Sequence, residues 1–135
     1  MSIPKLKSIF VTGAFINDAK HFFTKINELI SYQKPTILID GSIVNWDISK
    51  AYNAKLILTA NRTLKLIGLH EGDYGTLEVI QGGIGSYTLT LPNNSKVGSG
   101  GTGIIILSTA ISSIDIVSFY YNGSTLYWNI TKNFT

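Results

Sequence analysis

Past Pro35 the period of hydrophobicity drops from the helical value of about 3.6 to two, and that switch constrains the fold more than any other feature. The segments TILID, SIVNWD, AKLILTA, TLKLIG, GTLEVIQ, SYTLTLP, GIIILST, IDIVSFYY and TLYWNIT alternate apolar and polar residues. An extended chain with that alternation turns one face to a core and the other to solvent. Turn residues punctuate the segments at Asp40-Gly41, Asn61-Arg62, Glu71-Gly72-Asp73, Gln81-Gly82-Gly83, Pro92-Asn93-Asn94 and Asn122-Gly123. Short strands at this spacing, with no helix between them, predict an antiparallel β-sandwich or jelly-roll-like barrel. Its core is expected from Leu56, Leu58, Leu64, Leu66, Leu77, Val79, Leu89 and Leu91.

The last hairpin can be read residue by residue. Asn122-Gly123 in FYYNGSTLYW predicts a two-residue turn. Tyr121 then faces Ser124, Phe119 faces Leu126 and Val117 faces Trp128, with the last two pairs in the core. The opposite face carries Ile114, Ile116, Ser118 and a diagonal pair, Tyr120 and Tyr127. That face is too apolar to be left wholly to solvent; another sheet, another subunit or a ligand could cover it.

Upstream of Pro35, FINDAKHFFTKINELISYQ places Phe15, Ala19, Phe22, Ile26 and Leu29 at alternating spacings of four and three, widened by Ile16, Phe23 and Ile30. An amphipathic helix is expected, with Asn17 or Asp18 as N-cap and Pro35 beyond its end. Such a helix can lie on its own sheet or join identical chains in a short parallel coiled coil. Two heptads are too few to stand alone, so a coil would lean on the domain that follows. The chain therefore divides into an N-terminal arm and helix, residues 1–35, and a β-domain, residues 36–135. The opening MSIPKLKSIFVTGAFINDA imitates a secretory signal, but Thr12-Gly13 interrupts its apolar run and no small-x-small cleavage site follows. A native strand or arm is expected there.

The remaining chemistry is sparse. A net charge of +3 with scattered lysines lacks the dense basic stripe of a nucleic-acid binder, so no nucleic-acid partner is expected. No run reaches the ~20 apolar residues of a membrane-spanning helix, so no membrane insertion is expected either. The chain has no cysteine, hence no disulfide or thiolate metal site. His21 and His70 fall in different elements, and His70, beside Glu71 and Asp73, has no second ligand or nucleophile at a recognisable spacing. KVGSGGTG, from Lys96 to Gly103, leads into a strand-like segment rather than a helix and reads as a flexible hairpin loop, not a phosphate cradle. Asp40, Asn45 and Asp47 lack calcium-loop spacing. No catalytic residue, metal or cofactor is expected, and the chain is not read as an enzyme.

One resemblance is more specific. Trp46-Asp47, Asn53-Ala54, Asn61-Arg62-Thr63-Leu64, the run from Tyr74 to Gln81, Thr88 to Pro92, Ser108 to Ala110, Asp115-Ile116 and Tyr127-Trp128 follow one another in an order that resembles a β-domain of bacteriophage virion proteins of the head-fibre, tail-fibre or spike type. The match spans about two-thirds of the chain and leaves out its first 35 residues. It implies an exposed, non-enzymatic, homotrimeric projection on the virion surface that attaches to the host cell. Its partners would be copies of itself, other virion proteins through the N-terminus, and a host-surface glycan as candidate receptor. At 135 residues the chain suits a compact spike or fibre tip better than a long shaft. On that reading Tyr74, Tyr87 and Tyr121, aromatics near loop ends, are candidate ligand contacts. Phe15, Ala19, Phe22, Ile26, Leu29, Tyr120 and Tyr127 are candidate subunit contacts. A capsid decoration or vertex protein without a receptor, or a small monomeric lectin-like domain, are the alternative readings.

Overall fold

The computed structural model describes residues 15–98 and 103–135, with side chains of the helix from residue 19 onward. The N-terminal arm, the Phe15 side chain and the middle of the glycine-rich segment lie outside the described residues. Among the described residues one helix, α1 (Phe15–Gln33), precedes nine strands, and the protein is mainly β with mixed sheets. Asn17 and Asp18 lie within the helical span rather than ahead of it, so neither is the N-cap.

The strands are β1 (Thr36–Ile37), β2 (Ile43–Asp47), β3 (Asn53–Leu58), β4 (Arg62–Ile67), β5 (Tyr74–Gln81), β6 (Leu89–Thr90), β7 (Ser95–Val97), β8 (Ile114–Tyr121) and β9 (Leu126–Phe134). Their pairing departs from the antiparallel expectation: five of the seven strand pairs are parallel. Odd-numbered β1, β3 and β5 lie side by side in a six-stranded sheet of order β1-β3-β5-β8-β9-β7, while β2, β4 and β6 form a second sheet. From β1 to β7 consecutive strands therefore sit in opposite sheets, and the chain winds through three rungs of a short coil. Asp40-Gly41 and Asn61-Arg62 are corners between sheets, not hairpin turns. Among the described residues only β8 and β9 form a hairpin, inserted between β5 and β7.

Side chains at the corners tie each rung to the next. The Arg62 guanidinium donates to Asp40 through Nε at 2.6 Å and Nη2 at 2.9 Å, and the Thr59 hydroxyl donates to the same carboxylate. One rung further, Asn61 Oδ1 accepts from the Thr88 amide at 2.9 Å. Bidentate Arg–carboxylate geometry fixes orientation as well as distance. The Arg62 hydrogen bonds hold the Asp40 carboxyl below its usual pKa range.

Both sheets bury their inner faces in one core. It contains the expected Leu56, Leu58, Leu64, Leu77, Val79, Leu89 and Leu91, with Leu66 partly buried against it, and also Val44, Trp46, Ile48, Phe119 and Trp128. Trp46 and Trp128 pack on either side of Phe119, with ring centroids 5.5 and 5.1 Å away. Their indole N–H groups donate to the Ala51 carbonyl at 2.8 Å and the Ser95 hydroxyl at 2.9 Å, which satisfies the only polar atoms they bring inside. Gly75 makes room for this stack: a Cβ there would lie 2.7 Å from Phe119 Cε1 and 2.9 Å from the Trp46 ring.

Two further expectations change in detail. GIIILST keeps its alternation, with Ile105 and Leu107 buried and Ile104 and Ile106 exposed, but forms no regular strand. The buried Asp115 anchors the end of that segment, accepting from the Ser108 amide at 2.6 Å and hydroxyl at 2.7 Å. Lys96 and Val97 belong to β7 rather than to a loop.

In the final hairpin Tyr121 faces Leu126 and Phe119 faces Trp128, two residues out of the expected register. The loop has four residues, Asn122 to Thr125, because Asn122 Oδ1 accepts from the Ser124 amide at 3.0 Å and the Thr125 amide at 2.7 Å. A two-residue slip preserves the faces, so Val117, Phe119, Leu126 and Trp128 remain in the core.

Candidate functional site

The outer face of the six-stranded sheet is built in rows that run across the strands. Tyr74, Tyr120 and Tyr127 are direct cross-strand neighbours on β5, β8 and β9. They are 62%, 50% and 43% exposed. Tyr52, one residue ahead of β3, continues the row with its ring centroid 5.6 Å from that of Tyr74. Tyr32, at the end of α1, closes it 4.7 Å from Tyr52. Asn53 Nδ2 also donates to the Gln33 carbonyl at 2.8 Å, so the foot of the helix is joined to the end of the row.

Below the tyrosines comes an uncharged row, Asn53, Thr76, Ser118 and Asn129. The next contains Lys55, Glu78, Ile116 and Thr131, and the last aligns Ile57, Ile80, Ile114 and Phe134. The outer positions of the other sheet are more polar, with Asn45, Asp47, Thr63, Lys65 and Thr90 among them.

The candidate ligand contacts separate on this surface. Tyr74 lies in the row. Tyr87 is partly buried against the core, its amide donating to Gln81 Oε1 at 3.0 Å and its carbonyl accepting from Gln81 Nε2 at 2.8 Å. Tyr121 also packs on the core, and its hydroxyl donates to the Gly123 carbonyl at 2.7 Å. Tyr120 and Tyr127, expected as a diagonal pair, are directly opposed and share the row with Tyr74. Tyr32 and Tyr52 complete it without having been singled out in the sequence. The available signal was their recurrence with Tyr74 about once per rung, which is visible only after the coil is known.

Burial pushes the Tyr32 phenol above its usual pKa, with the negative charge of Asp73 adding to the effect. That phenol is a neutral hydrogen-bonding group throughout the physiological range.

The helix gives a second feature. Phe22, Phe23, Ile26, Leu29 and Ile30 are between 38% and 64% exposed, and Ala19 is partly buried. The stripe does not lie on the chain's own sheet, as one of the two readings had it. Open grooves of about 550 and 730 Å³ flank the helix foot, bordered by Lys34, Ile37 and Ile43 on one side and by Glu28, Tyr32 and Lys50 on the other.

His21 and His70 are exposed, and Asp73 accepts from the His70 amide at 2.7 Å. Asp40 is engaged by Arg62, and Asp47 accepts from the Ser49 amide and hydroxyl. Among the described residues no three His, Asp or Glu side chains converge as a metal site. No family model, curated protein or solved structure matches the chain.

Proposed function

We propose that this chain is a non-enzymatic spike or fibre-tip protein of a bacteriophage virion, homotrimeric through α1, that attaches the particle to the host surface. The observation that carries the reading is the helix. A domain that completes its own core in two sheets is preceded by a helix whose apolar stripe stays exposed, and apolar stripes of this kind are ordinarily covered by a partner. A parallel coil of identical helices covers all copies at once, with the β-domains holding the short coil together. The sequence order from Trp46 to Trp128, with its resemblance to phage projection domains, supplies the biological setting. The two sheets on one core are compatible with the sandwich expected from the strand spacing, although their strands are wound largely in parallel.

Attachment through three identical faces would be avid: modest single-site affinities multiply when three sites meet one surface. The N-terminal arm ahead of α1 is then the connection to other virion proteins.

Light scattering on a sizing column tests the assembly. The full chain is expected at three times its 14.8 kDa mass, and the chain lacking residues 1–35 at the monomer mass. A full-length monomer at micromolar concentration refutes the trimeric projection. Adsorption of the labelled trimer to host cells, competed by unlabelled trimer, tests attachment; a trimer that never adsorbs leaves a structural virion component in its place.

A further inference from the structure

We propose that the tyrosine row is a binding track for an uncharged polysaccharide, laid across the strands so that successive sugar rings meet Tyr127, Tyr120, Tyr74 and Tyr52. The inference rests on the attachment reading above and names the ligand class of that surface.

The use of the hydroxyls sets these tyrosines apart. Of the seven tyrosines in the chain, the two outside the row engage their phenol oxygens internally: Tyr121 donates to Gly123, and Tyr87 accepts from the Ile84 amide at 3.4 Å. Among the described residues the hydroxyls of Tyr32, Tyr52, Tyr74 and Tyr120 make no hydrogen bond, whereas that of Tyr127 accepts from Asn122 Nδ2 at 3.4 Å, as Tyr87 does from Ile84. Tyr74, Tyr120 and Tyr127 leave 62%, 50% and 43% of their surface open to a ligand, while Tyr32 and Tyr52 are partly buried at the end of the row.

Charge selects the ligand. The tyrosines and the adjoining Asn53, Thr76, Ser118 and Asn129 carry no charge, and Lys55 and Glu78 stand side by side one row further away. An acidic or basic polymer finds no complementary run of charge along Tyr127, Tyr120 and Tyr74; the charges near the row, Asp73, Glu28 and Lys50, are of both signs and gather at its Tyr32 end. A neutral sugar presents an apolar C–H face, which stacks on a phenol ring, and a rim of hydroxyls, which suits short amide and hydroxyl side chains. Adjacent strands stand about 4.8 Å apart, so the row repeats at close to the rise of one ring in an extended saccharide. A second copy of this chain is the poorer occupant, because the tyrosines adjoin the polar row of Asn53, Thr76, Ser118 and Asn129 while the apolar row of Ile57, Ile80, Ile114 and Phe134 lies at the far end of the face. Beneath the track, Gly75, Phe119 and Trp128 tie its strands to the close-packed core, so the backbone that carries the rings is held in place.

The test is an array of neutral glucans, mannans, galactans and xylans of increasing length, with sulfated and sialylated chains as charged controls. The full chain is compared with Tyr74→Ala, Tyr120→Ala and, on the opposite sheet, Lys65→Ala. Expected is retention by neutral chains that strengthens with length, about a tenfold weakening from each tyrosine substitution, and no change in Lys65→Ala. Near-ultraviolet dichroism from the buried Trp46 and Trp128 confirms that each variant is folded. Retention of charged chains alone, of none, or undiminished by both tyrosine substitutions overturns the proposal. Native masses separate the two readings: a monomer that binds neutral chains through the row sinks the trimer and keeps the track. A trimer that binds none and falls apart in Tyr74→Ala makes the row a subunit contact and overturns the track alone.

Discussion

Replacing Ile26 and Leu29 by glutamine probes the helix most directly. Gln has nearly the helix propensity of Leu, so the exchange removes apolar surface with little penalty to the helix itself. Full burial of an Ile or Leu side chain contributes about 1.5–3 kcal/mol. These two retain roughly half of their surface for a partner, 38% for Ile26 and 64% for Leu29, so each contributes about 1 kcal/mol on assembly. Two residues in three chains amount to about 6 kcal/mol, a fall of about four powers of ten in the trimer association constant. A trimer stable at micromolar concentration would then dissociate in the same column run. The assay is light scattering across a dilution series, with far-ultraviolet dichroism to show that α1 is retained. An undiminished trimer mass in the double variant refutes the assignment of the helix stripe as the joint, whatever else holds the chains together.

The corner pair gives a pH signature. Because Arg62 holds the Asp40 pKa below its unfolded value, the pair's stabilisation is complete above the unfolded pKa of about 3.9 and is lost as pH falls through the lowered folded value. The melting-temperature gap between the natural chain and Arg62→Gln should therefore narrow only in that acid window; a gap constant down to strong acid contradicts the account. Asp115→Ala strands the Ser108 amide and hydroxyl and the Asn133 amide, 2.8 Å from the carboxylate, and should lower unfolding free energy in urea by about 2–5 kcal/mol. Tyr121→Phe should lose about 1 kcal/mol with its bond to Gly123, whereas Tyr74→Phe should leave stability unchanged in the same titration.

Local rules explain why so much of the β-domain is legible in one dimension. Alternation at Leu56-Leu58, Leu77-Val79 and Val117-Phe119 identifies the inner faces because side chains of a strand must point alternately in and out. The same rule kept Phe119 and Trp128 in the core although the hairpin register was off by two. It was off because a side-chain carbonyl, Asn122 Oδ1, gathers the amides of a longer loop, and turn propensity alone does not weigh that competition.

Strand direction could not be read this way. Alternation is the same for parallel and antiparallel neighbours, and a corner between sheets uses the same Asp, Asn and Gly residues as a hairpin turn. Contacts between residues distant in the chain, Asp40 with Arg62 and Asn61 with Thr88, select the coil.

The sequence by itself determined a mainly β domain, the residues that face its core and an amphipathic helix ahead of it, because each follows from the periodicity of a single segment. Tertiary structure alone decided that the strands wind in parallel, that the helix stands off its own sheet, and that Tyr32, Tyr52, Tyr74, Tyr120 and Tyr127 form one row. Those five tyrosines are scattered over nearly a hundred residues of chain, and only the register between strands, set by packing both sheets on one core, brings them together.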